Sequence, residues 1–230
     1  MLAFLLFFGF ITIGFVWIRI QKTNNYKINM KTITLITLFV GALAFITNAY
    51  ASVSANMSVT SDYLWSGDSL SGGDAAVQGG LDYDGGDFYA GVWVSTLGQA
   101  ANSGLEGEEI DLYVGTNFNG LDLGVIKYEV ASTEVTEIYA GYSFQGFDLY
   151  YAQDEETSDN DYFSVSYGFD VSESISGAIT YGQWSDEAVT DLGVQEDYVQ
   201  LDLSYGPMTL TVLDTDREDL DLAVSYSLPL

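Results

Sequence analysis

The sequence predicts an all-β protein, an up-and-down antiparallel transmembrane β-barrel of about 12 strands. From residue 55 onward, apolar residues recur at every second position in runs about 12 to 15 residues apart, the period of a strand with one apolar face. No segment there repeats apolar residues at helical spacing over more than two turns. The connections alternate long and short, which is typical of outer-membrane barrels with short periplasmic turns and long outer loops.

Five tight turns pair successive strands. Asn119-Gly120 separates two alternating runs, and Asn-Gly is the strongest short hairpin signal because both positions of a type I′ turn need positive φ. The other tight turns are predicted at Gly85-Gly86, Gln145-Gly146, Ser172-Glu173 and Gly206-Pro207, and the longer connections at 66–74, 98–108, 131–133, 154–160, 185–196 and 214–218.

Twelve strands account for the residues between these connections. An even number returns both ends of the barrel to the same side of a membrane, and strands of about 9 to 11 residues match a tilted span of its hydrocarbon layer. The predicted strands lie near 56–65, 75–84, 88–97, 109–118, 121–130, 134–144, 147–153, 161–171, 175–184, 197–205, 208–213 and 219–228.

Each strand separates an apolar face from a polar one. In the last strand Leu222 and Val224 share one face while Asp221 and Ser225 share the other. A soluble β-sandwich would show the same alternation, with the apolar face as its core. Aromatic residues near strand ends favour the barrel, since they are typical of interfacial girdles. These residues are Tyr63, Trp65, Tyr83, Phe88, Tyr89, Phe118, Phe144, Phe147, Trp184, Tyr205 and Tyr226.

The polar face of a barrel lines its lumen. The predicted lumen residues are Gln78, Asp82, Asp111, Asp122, Asp202 and Asp221. Together these carboxylates would form a negative field that favours cations and repels anions. The alternative is that they are ordinary solvated groups that keep one face wet. Trp93 falls on the same presumed inner face, and the pattern leaves open whether it plugs the pore or faces lipid.

Composition excludes several function classes. The chain has no histidine and no cysteine, so imidazole or thiolate catalysis and disulfides are unavailable, and we expect no enzyme. Beyond residue 51 only Lys127 and Arg217 are basic, against all 33 acidic residues. Such a surface repels phosphate backbones, which argues against nucleic-acid binding. We expect Lys127 at the rim of the barrel; the alternative is that it pairs with a carboxylate in the lumen and narrows the pore.

Carboxylate clusters occupy the acidic connections, and oxygen-rich clusters suit Ca²⁺ or Mg²⁺. None has the spacing and glycine of an EF-hand loop, and the simpler interpretation is a soluble, repulsive surface. We expect no other cofactor. The weak candidates for metal ligands are Asp154, Glu155, Asp159, Asp161, Asp214, Asp216 and Asp219.

The first 51 residues predict export. Residues 30–51 have a lysine near the start, an apolar stretch and a small-x-small ending at Ala49-Tyr50-Ala51, the layout of a cleaved signal peptide. Residues 1–18 form a second apolar stretch. The economical interpretation is that translation begins at Met30 and residues 1–29 are an upstream extension; the alternative is that residues 1–18 are an inner-membrane anchor. The barrel itself is assigned to residues 52–230.

The segment SDYLWSGDSLSGGDAAVQGGLDYDGGDFYAGVWVS, Ser61 to Ser95, resembles the TorF family of porins in proteobacteria. The shared pattern is a Ser-Asp-Tyr strand, a glycine-containing loop with Ser and Asp, then Ala-x-Gln-Gly-Gly and Tyr-Ala-Gly-x-Trp-x-Ser. The resemblance covers the first three strands. It implies an outer-membrane channel and names no substrate.

We therefore expect a porin-like channel in the bacterial outer membrane for passive diffusion of small hydrophilic solutes, with cations preferred by the acidic lumen. Its partners would be lipid, lipopolysaccharide, the barrel assembly machinery and the solutes. Two alternatives stay open: a non-conducting structural or adhesive barrel whose acidic loops bind divalent cations, and an exported soluble β-sandwich that binds a ligand.

Overall fold

Twelve antiparallel strands form one closed barrel, which confirms the predicted fold class. The computed structural model describes residues 51–98, 107–131, 133–156, 159–216 and 220–230, all within one compact unit. The wall strands are β1 (Ser52–Thr60), β4 (Ala76–Asp84), β5 (Tyr89–Thr96), β6 (Glu108–Phe118), β7 (Leu121–Val130), β8 (Thr133–Phe144), β9 (Phe147–Asp154), β10 (Asp161–Ser172), β11 (Ile175–Trp184), β12 (Asp197–Tyr205), β13 (Met208–Thr215) and β14 (Asp221–Ser227).

Two interfaces of β1 close the ring. On one side β1 pairs with β4 over nine residue pairs, from Ser52 opposite Asp84 to Thr60 opposite Ala76. On the other side it pairs with β14 over three, from Ser58 opposite Ser227 to Thr60 opposite Ser225. We call this second interface the seam. A ring in which every strand has two neighbours has no open sheet edge, so the β-sandwich alternative is wrong.

Tight turns and longer connections lie at opposite ends of the barrel, as the sequence predicts. The tight turns define the short-turn end, where β1 begins and β14 ends. At two of them a non-glycine residue has positive φ and a glycine follows: Asn119 (φ 52°) before Gly120, and Gln145 (φ 49°) before Gly146. These are the positions at which a type I′ turn demands such angles. The opposite end is the long-loop end.

The first strand departs from its predicted bounds. We predicted a strand over 56–65 that includes the Ser-Asp-Tyr of the resembled pattern, but the wall strand ends at Thr60 and the chain turns away from the wall at Ser61-Asp62-Tyr63. A small hairpin follows, β2 (Leu64–Trp65) paired with β3 (Asp68–Ser69). Alternation at Val59, Tyr63 and Trp65 continues past the sheet, so the pattern alone misplaced the boundary.

One helix lies in the connection between β11 and β12, which we predicted only as a long polar connection. Helix α1 spans Asp186–Leu192. The Ser185 side chain caps it by accepting a hydrogen bond from the Ala188 amide nitrogen at 3.2 Å, and Gly193 ends it in the left-handed conformation with φ 72°. Over the described ranges, no helix is long and apolar enough to cross a membrane.

The outer wall is an apolar belt. Aromatic side chains near the short-turn end project outward and are 43% to 72% exposed, as in an interfacial girdle: Phe118, Phe144, Phe147, Tyr205 and Tyr226. Outward charged residues of the described strands lie toward the long-loop end instead; Lys127, for instance, pairs with Glu129 at 3.3 Å and Glu134 at 2.9 Å. An apolar belt bordered by aromatic and charged residues matches the profile of a bilayer.

Candidate functional site in the barrel lumen

The strand register places the predicted lumen residues on the inner face. Gln78, Trp93 and Asp111 line a common cavity, and Asp221 lies opposite the inward Leu213. Trp93, which the sequence left undecided, points into the lumen beside Asp111 on the next strand. Asp82 and Asp122 lie nearer the short turns. Asp202 accepts hydrogen bonds from Gln200 Nε2 at 2.8 Å and from Thr211 Oγ1 at 2.6 Å.

The lumen wall carries carboxylates without balancing cations. Inward acidic groups that we did not predict include Glu109, Glu137 and Asp148; alternation would have found Glu109, since it precedes Asp111 by two residues. Lys127, the one basic residue of the described strands, lies on the outer face in its two ion pairs, at the rim and away from the lumen carboxylates. The described wall is therefore electronegative inside.

In the short-turn half of the lumen, tyrosines lie flat over glycines on the neighbouring strand. A Cβ atom built on Gly91 would overlap the Tyr113 ring, and one built on Gly115 would overlap Tyr89. Tyr89 of β5 pairs with Gly115 of β6, and Tyr113 of β6 pairs with Gly91 of β5, so each strand places a tyrosine ring over a glycine of the other. Only glycine leaves room for a ring at these sites. The rings therefore occupy the wall rather than the lumen.

The hydroxyl groups of these tyrosines bind the predicted carboxylates. Tyr113 Oη donates to Asp82, which also accepts from Asn56 Nδ2 at 3.0 Å. Tyr89 Oη donates to Asp122 at 2.7 Å and lies within 2.5 Å of the Tyr139 hydroxyl. Hydrogen bonds from the phenols fix the carboxylates in place. Asp82 and Asp122 are thus held rigidly at the inner wall.

Residues 61–75, which we call the inserted segment, fold into the long-loop half of the lumen. The carboxylate of Asp62 organises it: Oδ1 accepts from Ser69 Oγ at 2.6 Å, Ser71 Oγ at 2.8 Å and the Gly73 amide at 3.2 Å. Asp62 is 8% exposed. Three donors converging on one buried oxygen give a compact loop that needs no regular sheet. No periodic signal in the sequence reports this arrangement.

The inserted segment contacts wall strands that are four positions apart in the ring. Trp65 packs against Tyr128 on β7 and Trp184 on β11, with ring centroids 5.9 Å and 5.7 Å apart. The Trp184 indole donates to the Ser66 carbonyl at 3.1 Å, and the Gln195 amide donates to Asp68 Oδ2 at 3.1 Å. Because these contacts join β7 to β11, the segment crosses the lumen and narrows it.

The aromatic residues near strand ends therefore divide into two groups. The girdle prediction is wrong for Tyr63, Trp65, Tyr89 and Trp184, which turn inward. Trp184 is 3% exposed and packs against Tyr162 with ring centroids 4.7 Å apart. The sequence marks strand ends but not the direction in which their last side chains point once the chain leaves the wall.

A cavity of about 330 Å³ remains between the inserted segment and the wall. Tyr63 and Trp65 border it from the segment, and Trp93, Asp111 and Tyr128 border it from the wall. Burial, together with the nearby carboxylates of Glu109 and Asp111, raises the pKa of the Tyr63 phenol well above its ordinary value. Tyr63 therefore stays neutral, with Glu109 as a hydrogen-bond partner.

The weak metal candidates that the structure describes make separate contacts at the long-loop end. No group of three or more carboxylates with metal-binding geometry occurs within the described ranges. Asp161 Oδ1 accepts from Tyr151 Oη at 2.8 Å and Gln153 Nε2 at 3.0 Å, and Asp154 Oδ1 accepts from the Glu156 amide at 2.8 Å. Glu155, Asp159, Asp214 and Asp216 lie in or beside the connections at the long-loop end, and Asp219 lies outside the described residues.

The chain matches the model of a bacterial protein family. The model of a bacterial family, described as "Bacterial protein of unknown function (Gcw_chp)", matches residues 47–205, which is more than half of the chain. A search of curated proteins finds no match. The matched region includes the inserted segment and the wall strands β1 to β12.

Proposed function

The chain belongs to the Gcw_chp family of bacterial proteins, and we propose that it is an outer-membrane channel through which small hydrophilic solutes diffuse, cations in preference to anions. The observation that carries the proposal is the difference in polarity between the outer and inner faces of the closed barrel wall. Outside, apolar and aromatic side chains form a belt; inside, the wall is polar and acidic. A protein in water has no reason to turn its apolar face outward.

The two ends of the barrel give the proposal an orientation. Short turns and both barrel termini share one end, as they do on the periplasmic side of outer-membrane barrels. The long-loop end, with its outward Lys127, Glu129 and Glu134, would face the cell exterior and the lipopolysaccharide. Export through a signal peptide and insertion by the barrel assembly machinery belong to the same proposal.

The lumen supports passage of small solutes only. Twelve strands enclose a narrow interior, and the inserted segment narrows its long-loop half further. In the middle of the barrel and toward the short turns, several inward side chains of β10 and β11 are small, including Ser164, Ser166 and Thr180 with Gly168. Small polar side chains leave room for water beside them. We place the path of a solute along this part of the wall.

Planar bilayer recording tests the proposal. The refolded full-length protein, purified in detergent, should give small unitary conductances in potassium chloride, and a salt gradient should give a reversal potential of the sign for cation preference. Protein denatured by boiling before addition is the control. Absence of unitary steps over a range of salt concentrations, with a barrel that shows the usual heat-dependent gel shift, would contradict the channel.

A non-conducting barrel is the second candidate, because the aromatic contacts of the inserted segment reach both sides of the lumen. In that case the protein would serve as a structural or adhesive barrel presenting its acidic connections. Silence of the intact protein together with conduction after disruption of the segment would favour this candidate. The same recordings therefore separate the two.

A further inference from the structure

The cavity beside the inserted segment contains a buried acidic side chain with an unpaired oxygen atom. Asp111 is 6% exposed, lines the cavity, and its Oδ1 atom has no hydrogen-bond partner. Glu109, on the same inner face, is 2% exposed and its Oε2 atom also lacks a partner. Leaving such oxygens unpaired costs free energy, since water no longer solvates them. A ligand that brings positive charge would recover that cost.

Four aromatic side chains surround this carboxylate. Trp93 and Tyr128 lie directly opposite Asp111 on the strands to either side. From the inserted segment, Tyr63 packs against Trp93 with ring centroids 5.5 Å apart, and Trp65 packs against Tyr128 at 5.9 Å. Aromatic rings attract cations through their electron-rich faces and also cover the apolar carbons of an organic cation. The arrangement is an aromatic enclosure that also contains two acidic side chains, Asp111 and Asp62, and Asp62 already accepts three hydrogen bonds within the inserted segment.

The rest of the lining favours an organic ligand over a metal ion. Gln78, Gln200 and Thr211 supply neutral hydrogen-bonding groups on the other walls. The described residues contain no group of three or more carboxylates suited to a metal. At about 330 Å³ the cavity is of the size that holds a small molecule. Its chemistry fits one cationic head group attached to a few carbons, with room for a hydroxyl.

We propose that the cavity is a binding site for a small organic cation of the alkylammonium class, with Asp111 as its counter-ion and Trp65, Trp93 and Tyr128 as its aromatic walls. This proposal rests on the proposed channel function and specifies the class of solute. A solute entering from the long-loop end would meet this enclosure before it reached the open short-turn half. Transient binding in the lumen is how a narrow channel selects among solutes.

Tryptophan fluorescence gives a direct test, since Trp65 and Trp93 are two of the four tryptophans in the chain and both border the cavity. The full-length protein, refolded in detergent, would be titrated with choline and with its neutral isostere 3,3-dimethylbutan-1-ol. We expect a saturable change with choline, at an affinity about tenfold or more above that for the isostere, which corresponds to roughly 1.4 kcal/mol.

A matched pair of variants tests whether Asp111 is the counter-ion of the bound cation. Asp111→Asn should lower choline affinity about tenfold and leave the isostere unaffected. Asp148→Asn is the control: it removes the same charge from the inner face near the short turns, where Asp148 accepts from Ser143 Oγ at 2.5 Å, and it should bind choline as the parent does. A heat-dependent gel shift checks that each variant is folded.

Three outcomes would overturn the site: no saturable signal, equal affinity for choline and its isostere, or equal loss in both variants. If Asp111→Asn fails to fold, the comparison of choline with the isostere on the parent protein still shows whether the cavity prefers a cation. Conductance is measured separately. If the barrel conducts but does not bind choline, the binding site is contradicted and the channel is supported. If the barrel binds choline but never conducts, the binding site is supported and the channel is contradicted.

Discussion

The two halves of the lumen use aromatic residues in opposite ways. In the short-turn half, Tyr89 and Tyr113 lie flat over glycines and donate their hydroxyls to carboxylates, so that the rings thicken the wall and leave the interior open. In the long-loop half, Trp65 and Trp184 project inward and pack on each other. The same residue class therefore makes an open vestibule at one end and a constriction at the other, depending on whether a glycine lies opposite.

Removing the constriction should produce the largest change. Trp65→Ala deletes the ring that contacts both Tyr128 and Trp184. We expect loss of about 3 kcal/mol of packing free energy for the inserted segment, release of that segment from the wall, and severalfold larger unitary conductance in bilayers. Tyr205→Ala, which removes an aromatic ring from the outer face at 63% exposure, is the control and should leave conductance unchanged. Equal conductance in both variants would mean that the segment does not limit the path.

Filling a covered glycine tests the other half. Gly91→Ala places a methyl group where the Tyr113 ring lies, so it should lower the free energy of unfolding by about 2 kcal/mol in urea denaturation. Gly168→Ala, on the inner face of β10 with nothing within 4 Å of a Cβ atom, should be within about 0.5 kcal/mol of the parent. Similar stabilities for the two variants would show that the tyrosine is free to move off the wall.

The wall and the inserted segment differ in how far the sequence could predict them. Strands, tight turns and faces follow from local period-two alternation and from turn residues such as Asn119-Gly120, so they were predictable. The inserted segment depends on contacts between distant residues: the hydrogen bond from Trp184 to Ser66 spans 118 positions. Period-two alternation carries no information about such pairs. Trp93 was undecided for another reason: both faces of β5 carry apolar residues, so alternation does not show which face is inward.

Helix α1 is a different kind of omission. Its signals were present in the sequence, with Ser185 as the cap, Asp186 and Glu187 in the first turn and Gly193 just past the end. The helix is short, and its one buried residue is Ala188, so no apolar periodicity accompanied those signals. Capping residues could have predicted it where hydrophobic periodicity could not.

Neutralising the vestibule should have an intermediate effect. A double variant, Asp82→Asn with Asp122→Asn, retains oxygen acceptors for Tyr113 and Tyr89 but removes two charges from the wall. Loss of about 1 kcal/mol of attraction for cations would lower the cation-to-anion permeability ratio roughly fivefold, which a reversal-potential measurement detects. Glu108→Gln, on the outer face at the rim, should leave the ratio unchanged. An unaltered ratio in the double variant would place selectivity in the long-loop half.

The smallest effect is expected outside the lumen. Lys127→Gln breaks exposed ion pairs with Glu129 and Glu134, and such pairs contribute little because water and salt screen them. The free energy of unfolding should fall by about 0.5 kcal/mol or less, and the difference should shrink as salt is added. Lys127→Arg, which keeps the charge, should match the parent. A loss well above 1 kcal/mol would indicate that this cluster is part of the folding core.

The seam gives the barrel an uneven mechanical strength. Between β1 and β14 three residue pairs are in register, against nine between β1 and β4. Because the seam joins the first wall strand to the last, it can form only after the whole sheet has been made. The joint that is completed last is thus also the shortest in the ring, and under lateral tension the cylinder would open along it, leaving the other hairpins intact as a sheet.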